Sequence, residues 1–272
     1  MNGINFRRRM LMGAAHYNAS FDFNNYLTIE ALEDNFRVAF TKDIEYTIDG
    51  QEWITLKAKN ETQPINIGQT LRFKGELRPD DSNGIGAFTI SKKCNLKGNC
   101  MSMLFGDNAA DNYSLSGKDY AFYKLFQGCS NIVNVDSNFL PATTLASYCY
   151  CRMFQGCSNL TTAPELPAAT LASSCYRYMF QGCSNLTSSP ELPATTLVYD
   201  CYGYMFYGCT RIATIRCRAR KKDDISAIFP PTDSWLNKIS VKTGNFYGYS
   251  TYGWDSGASG IPRGWKFFEL TD

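Results

Sequence analysis

The chain has 272 residues, 44% of them apolar, enough for one large or two modest domains with a real core. A formal net charge of +2 gives no basic surplus for a nucleic-acid partner, and no run approaches the ~20 apolar residues of a membrane helix. A single histidine, His16, removes most acid–base triads and most zinc-site types.

Residues 1–19 form an arm. Phe6-Arg7-Arg8-Arg9 is followed by Met10-Leu11-Met12, an apolar patch shorter than the roughly 7–15 residues of a signal core, and no lipidation cysteine comes after it. Export by the standard route is therefore not expected. The arm reads as a disordered tail or, more sharply, as an anchor that docks onto a larger assembly through Phe6, Arg7, Arg8 and Arg9.

Residues 20–92 predict an all-β domain, an Ig-like sandwich or a barrel-like sheet. Leu27-Thr28-Ile29, Phe36–Phe40 and Ile44–Ile48 alternate, and Asp49-Gly50 joins the last of these to Trp53–Leu56, a strong hairpin signal. Leu71-Arg72-Phe73 and Ala87–Ile90 supply further strands. Asp80–Gly84 resembles a calcium loop in composition but lacks the remaining ligand spacing, so a turn is expected.

Residues 93–217 repeat. Phe126-Gln127-Gly128-Cys129, Phe154-Gln155-Gly156-Cys157, Phe180-Gln181-Gly182-Cys183 and Phe206-Tyr207-Gly208-Cys209 lie 28, 26 and 26 residues apart. Leu-Pro-Ala at 140, 166 and 192 and Cys-Tyr at 149, 175 and 201 keep the same step. Leu145, Cys149 and Met153 recur at i, i+4 and i+8, which predicts a helix closed by Gly156. Asn159–Ala163 then predicts a short strand stopped by Pro164. About four such units predict a leucine-rich-type solenoid, because one unit cannot bury its own apolar face. The overall expectation is an α+β chain: β domain, solenoid, then a C-terminal cap at 218–272.

The odd count of eleven cysteines argues against a closed disulfide framework. Cys149 and Cys151 form a C-x-C, and Cys94 lies near Cys100, so a metal or redox site is the alternative. Yet most of the solenoid cysteines recur once per unit, as packed positions do. No metal and no cofactor are expected.

In the cap, Arg220-Lys221-Lys222 beside Asp223-Asp224 reads as a solvated face or a partner patch. A short helix is expected around Trp235-Leu236. The Phe246–Trp254 run packs into the cap or offers Tyr247, Tyr249, Tyr252 and Trp254 to a sugar ring or protein partner.

The segment Met153–Ala168 resembles the repeat of BspA-like leucine-rich repeat surface proteins of gut Bacteroidales and their phages. Leading segments Met103–Asp107 and Ser114–Phe122, the ending Gly260–Trp265 and the β segment 26–75 are similar to the same proteins, so the likeness covers about residues 20–268. The resemblance implies surface display and adhesion without catalytic residues. Joined to the arginine arm, it leads to a phage virion protein: head fibre, capsid decoration or tail appendage, assembled in a host cytoplasm. Its expected partners are capsid or other virion proteins through the arm, and a host surface glycan or protein through the repeats. A homo-oligomer, dimer or trimer, is expected, with no nucleic acid and no membrane insertion. A bacterial cell-surface adhesin is the alternative. A glycan hydrolase is the remote one, for which Glu165 and Glu191 are the notable acids, at equivalent places in successive units.

Overall fold

The computed structural model describes residues 25–80, 84–219, 232–249, 254, 256–257 and 259–271. Alternation builds the first part. In β1 (Leu27–Ala31), Leu27, Ile29 and Ala31 face one core. The strand lies between β5 (Thr70–Lys74) and β7 (Cys94–Gly98) in a sheet ordered β4-β3-β5-β1-β7-β8, with β3 at Ile44–Ile48, β4 at Ile54–Leu56 and β8 at Ile132–Val135. The β3–β4 hairpin turns on Asp49 and Gly50, both at positive φ, as the Asp-Gly pair predicts. β2 (Val38–Phe40) and β6 (Phe88–Ile90) form a separate ribbon, joined to the large sheet through Phe73 and Phe88, whose rings are 5.1 Å apart. One open sheet faced by a two-stranded ribbon takes the place of the expected sandwich or barrel. β7 and β8 pair in parallel, so this sheet continues into the repeats.

The repeats do not contain the expected helices. The α-helix among the described residues is α1 (Ser102–Phe105), continued by a 3-10 turn at Gly106–Asp111. In the second repeat, Cys149, Cys151, Met153, Gln155 and Cys157 each donate a backbone N–H three residues back, to Ala146, Tyr148, Tyr150, Arg152 and Phe154. The residues between them donate across to the next repeat: Tyr148 to Ser173, Tyr150 to Cys175, Arg152 to Arg177, Phe154 to Met179 and Gly156 to Gln181, at 2.7–3.0 Å. An α-helix would send every one of these donors four residues back. Every fourth residue (Tyr148, Arg152, Gly156) instead takes a positive φ, and the third and fourth repeats do the same. Each left-handed non-glycine residue costs roughly 1–2 kcal/mol. An unmade buried hydrogen bond costs about as much, and in the second repeat every backbone N–H from Tyr148 to Cys157 is bonded.

The α+β expectation, with its leucine-rich solenoid of helices and strands, is therefore overturned. The chain is mostly β and turn, with 27% strand in several sheets. The expected strand at Asn159–Ala163 is reduced to a single bridge between Asn134 and Thr162. The apolar pattern misled for a physical reason. A four-residue turn period turns Cys149, Tyr150, Met153, Phe154 and Cys157 inward, and over three turns this is indistinguishable from a 3.6-residue period.

The repeats share one interior. Phe126, Phe154, Phe180 and Phe206 stack at 5.7, 5.8 and 5.8 Å, within 6° of parallel. Phe122, Tyr150, Tyr176 and Tyr202 form a second row. Phe88 stacks on Phe126 at 5.1 Å and ties the first sheet to this column. Cys129, Cys157, Cys183 and Cys209 donate their thiols to the carbonyls of Phe88, Phe126, Phe154 and Phe180 at 3.0–3.3 Å.

On the strand side, β9 (Ser188–Leu192), β10 (Thr214–Cys217), β11 (Asn245–Gly248) and β12 (Lys266–Glu269) form a parallel sheet. No helix forms at Trp235-Leu236. Residues 232–239 make another turn rung, accepting bonds from Tyr204, Phe206 and Gly208 at the carbonyls of Asp233, Trp235 and Asn237. Trp235 covers Tyr202 and Phe206, with ring separations of 6.2 and 6.4 Å, and donates its indole N–H to the Gly260 carbonyl at 3.0 Å.

Candidate functional site

Past each turn ribbon the chain extends, and Pro164, Pro167, Pro190 and Pro193 hold it in that form. This brings equivalent residues of two repeats to one surface. A groove of about 480 Å³ is lined by Glu165, Leu166, Pro167, Glu191, Pro193 and Arg218. Leu166 is part of the core and forms the floor. The Glu165 backbone is fixed by its N–H donating to the Ser137 carbonyl at 2.8 Å, while its side chain is exposed. At the far end the repeat changes sign. Arg218 follows β10, donates from Nε to the Glu191 carboxylate and from Nη1 to the Tyr249 hydroxyl at 3.0 Å. Glu191 beside it raises the Arg218 pKa further.

The four aromatic candidates separate. The Arg216 guanidinium covers one face of Tyr247 at 4.5 Å, and Phe268 stacks on Tyr247 at 5.0 Å, so this ring has no open platform. Tyr249 presents its hydroxyl to Arg218 at the groove. Trp254 is 8% exposed and stacks on Trp235 at 5.5 Å, which makes it cap core and not a surface anchor. Tyr252 lies outside the described residues, as do Phe6, Arg7, Arg8 and Arg9 and the charge cluster at 220–224. Asp80 and Gly84 exchange backbone bonds at 2.9 and 2.6 Å, which closes the expected turn, although residues 81–83 lie outside the description.

A second surface follows the turn ribbon. Lys124, Arg152, Tyr178 and Tyr204 occupy one column of the repeat. Tyr178 and Tyr204 stack at 4.9 Å, and the guanidinium groups of Arg152 and Arg177 lie 4.4 and 4.5 Å from the Tyr178 ring. Beside them the amides of Gln127, Gln155 and Gln181 form a hydrogen-bonded ladder. No short motif singles out these residues. They emerge when the repeats are aligned and the columns that vary are read instead of those that recur.

The thiols offer no reactive centre. All eleven cysteines are buried and unbridged, and burial pushes the thiols of Cys149, Cys151 and Cys217 up to about 12. Among the described residues no group of three His, Cys, Asp or Glu side chains is placed to hold a metal ion. Comparison with protein-family models, with curated proteins and with solved structures finds no match.

Proposed function

We propose that the chain is a non-enzymatic structural protein of a phage particle, a head fibre, capsid decoration or tail appendage, that displays its stacked repeats to host or mucosal surfaces. The observation that carries this reading is the stacking of rings at 5.7–5.8 Å through successive repeats. A core locked this way holds exposed side chains at fixed spacing, so little ordering entropy is lost when a partner binds. The likeness of Met153–Ala168 to BspA-like surface proteins supports the same reading, and the arm at Phe6-Arg7-Arg8-Arg9 supplies a docking element for the particle.

Deleting residues 2–19 and measuring incorporation by mass spectrometry of purified particles tests it. Loss of incorporation is the expected result, and undiminished incorporation overturns the docking role of the arm. The alternative, a bacterial cell-surface adhesin, predicts the protein on the surface of uninfected cells, which fractionation reads directly. A glycan hydrolase would need the two acids of the groove to divide acid and base roles. Glu191 is instead engaged by Arg218. Turnover of an oligosaccharide that disappears on changing either Glu165 or Glu191 would reverse that assignment.

A further inference from the structure

We infer that the groove between Glu165 and Arg218 is a binding site for a neutral saccharide chain. This deepens the surface-binding reading by naming a ligand class, and it does not depend on where the protein is displayed.

Charge comes first. Among the described residues that line the groove, Glu165 and Glu191 stand against one cation, Arg218, which Glu191 engages directly, while Arg216 is turned onto the Tyr247 ring. With Glu191 and Arg218 paired, the one remaining acid repels a polyanion and gives a polycation only a weak net attraction. What remains is directional. The Glu165 carboxylate is an acceptor for hydroxyl donors. The Arg218 guanidinium has five N–H donors, of which Glu191 and Tyr249 fix two and set its plane. A ligand that both donates and accepts, without charge of its own, satisfies this pair.

Shape narrows the class. The proline rings of Pro167 and Pro193 present apolar surface between the polar groups, above the buried Leu166. A pyranose ring has the complementary form, an apolar C–H face edged by hydroxyls. The volume of about 480 Å³ falls within the ~300–1,000 Å³ of small-ligand sites. Because Glu165 and Pro167 are followed one repeat later by Glu191 and Pro193, consecutive sugar rings can lie against consecutive repeats. Tyr247 offers no stacking platform, since the Arg216 guanidinium lies over its ring and Phe268 stacks on it.

The test applies the full chain to immobilised neutral hexose and N-acetylhexosamine oligosaccharides, with uronate or sulfated glycans and a lysine-rich peptide as separate arms. A bound oligosaccharide is then titrated by calorimetry against wild type, Glu165→Ala and Arg218→Ala. Binding to a neutral oligosaccharide that weakens about tenfold in both variants is expected. Glu165 is exposed, so an unchanged melting temperature in Glu165→Ala shows that folding is intact. Thr170→Ala, exposed and outside the groove lining, retains wild-type affinity. No binding to any neutral oligosaccharide, binding confined to the anionic glycans or to the peptide, or full affinity in both variants overturns the assignment. Particle incorporation is measured independently, so failure here and failure of the virion reading are distinguishable.

Discussion

The side chains of Asp200 and Arg177 belong to different repeats and meet as an ion pair, with Oδ2 and Nε 2.5 Å apart. Asp200 is 3% exposed at its side chain, in a column that holds Tyr148 and Ser174 in the preceding repeats. Burial raises its pKa to about 6, against the lowering effect of Arg177 and with the help of Asp233. The interior thus holds one carboxyl group where the repeat rule would place none.

This position gives the first prediction. Because the folded-state pKa exceeds the ordinary value of 3.8, folding takes up a proton. The stabilisation is complete below about pH 4 and is lost as pH rises through about 6. Its ceiling is about 3 kcal/mol. Other carboxyls, among them Glu30 and Asp49, are shifted the opposite way, so the useful quantity is a difference. The melting temperature of wild type minus that of Asp200→Asn should rise as pH falls from 7 to 4. A difference that stays level across that range sinks the idea.

Gly203 is the partner of this arrangement. A Cβ at this position would strike the Asp200 carboxylate, while the Gly203 backbone is not in the left-handed region. The cost of Gly203→Ala is therefore steric, about 1–3 kcal/mol by displacement in a packed interior. The double variant Gly203→Ala with Asp200→Ser, which restores the smaller residue of the preceding repeat, should recover most of that loss. Equal destabilisation by Gly203→Ala with and without Asp200→Ser would show the clash to be irrelevant.

The tyrosine row carries a third prediction. Tyr150, Tyr176 and Tyr202 are buried, and their hydroxyls have no hydrogen-bond partner among the described residues. Phe122 occupies the same column one repeat earlier, which shows that the packing accepts a ring without a hydroxyl. Removing an unsatisfied buried hydroxyl relieves a penalty of about 1–3 kcal/mol. Tyr176→Phe should move the denaturant midpoint upward with an unchanged slope, whereas Tyr176→Ala should cost about 3–5 kcal/mol through the cavity. A downward midpoint shift for Tyr176→Phe would reveal a partner for that hydroxyl.

These residues also mark how far the sequence was legible. Strands β1, β3, β4 and β5 of the first sheet and the Asp49-Gly50 turn follow from alternation and turn chemistry, both local signals, whereas β7 and β8 fall inside the segment read as repeats. The 26-residue step follows from recurrence, and the buried phenylalanine column confirms its role in packing. The ribbon of turns was not legible, because half of its backbone bonds run to residues 25 positions away, such as Cys175 for Tyr150. A local pattern has no access to a partner at that distance, so the inward pairs read as a helix. The groove escaped for a related reason. Glu165 and Glu191 were visible as a recurring acid, but Arg218 enters the same surface only through the shifted register between β9 and β10. For Trp254 the sequence leaves packing and partner binding open, because only the neighbouring rings of Trp235 and Phe246 decide between them.

The cysteines allow a last prediction, on reactivity. A thiol with a pKa of about 12 is ionised to roughly one part in ten thousand at pH 8, and the thiolate is the reacting form. Cys151 is the discriminating case, since Arg152, Arg177 and Lys124 near it favour the thiolate while burial and Asp200 oppose it, and burial is the larger effect. Thiol reagents should leave the native protein unlabelled and modify the cysteines together as denaturant carries the chain through its unfolding transition. Chelators should change neither the labelling nor the transition. Rapid stoichiometric modification of Cys151 in native buffer would mean that the arginines govern this site, and that the C-x-C segment is available for chemistry after all.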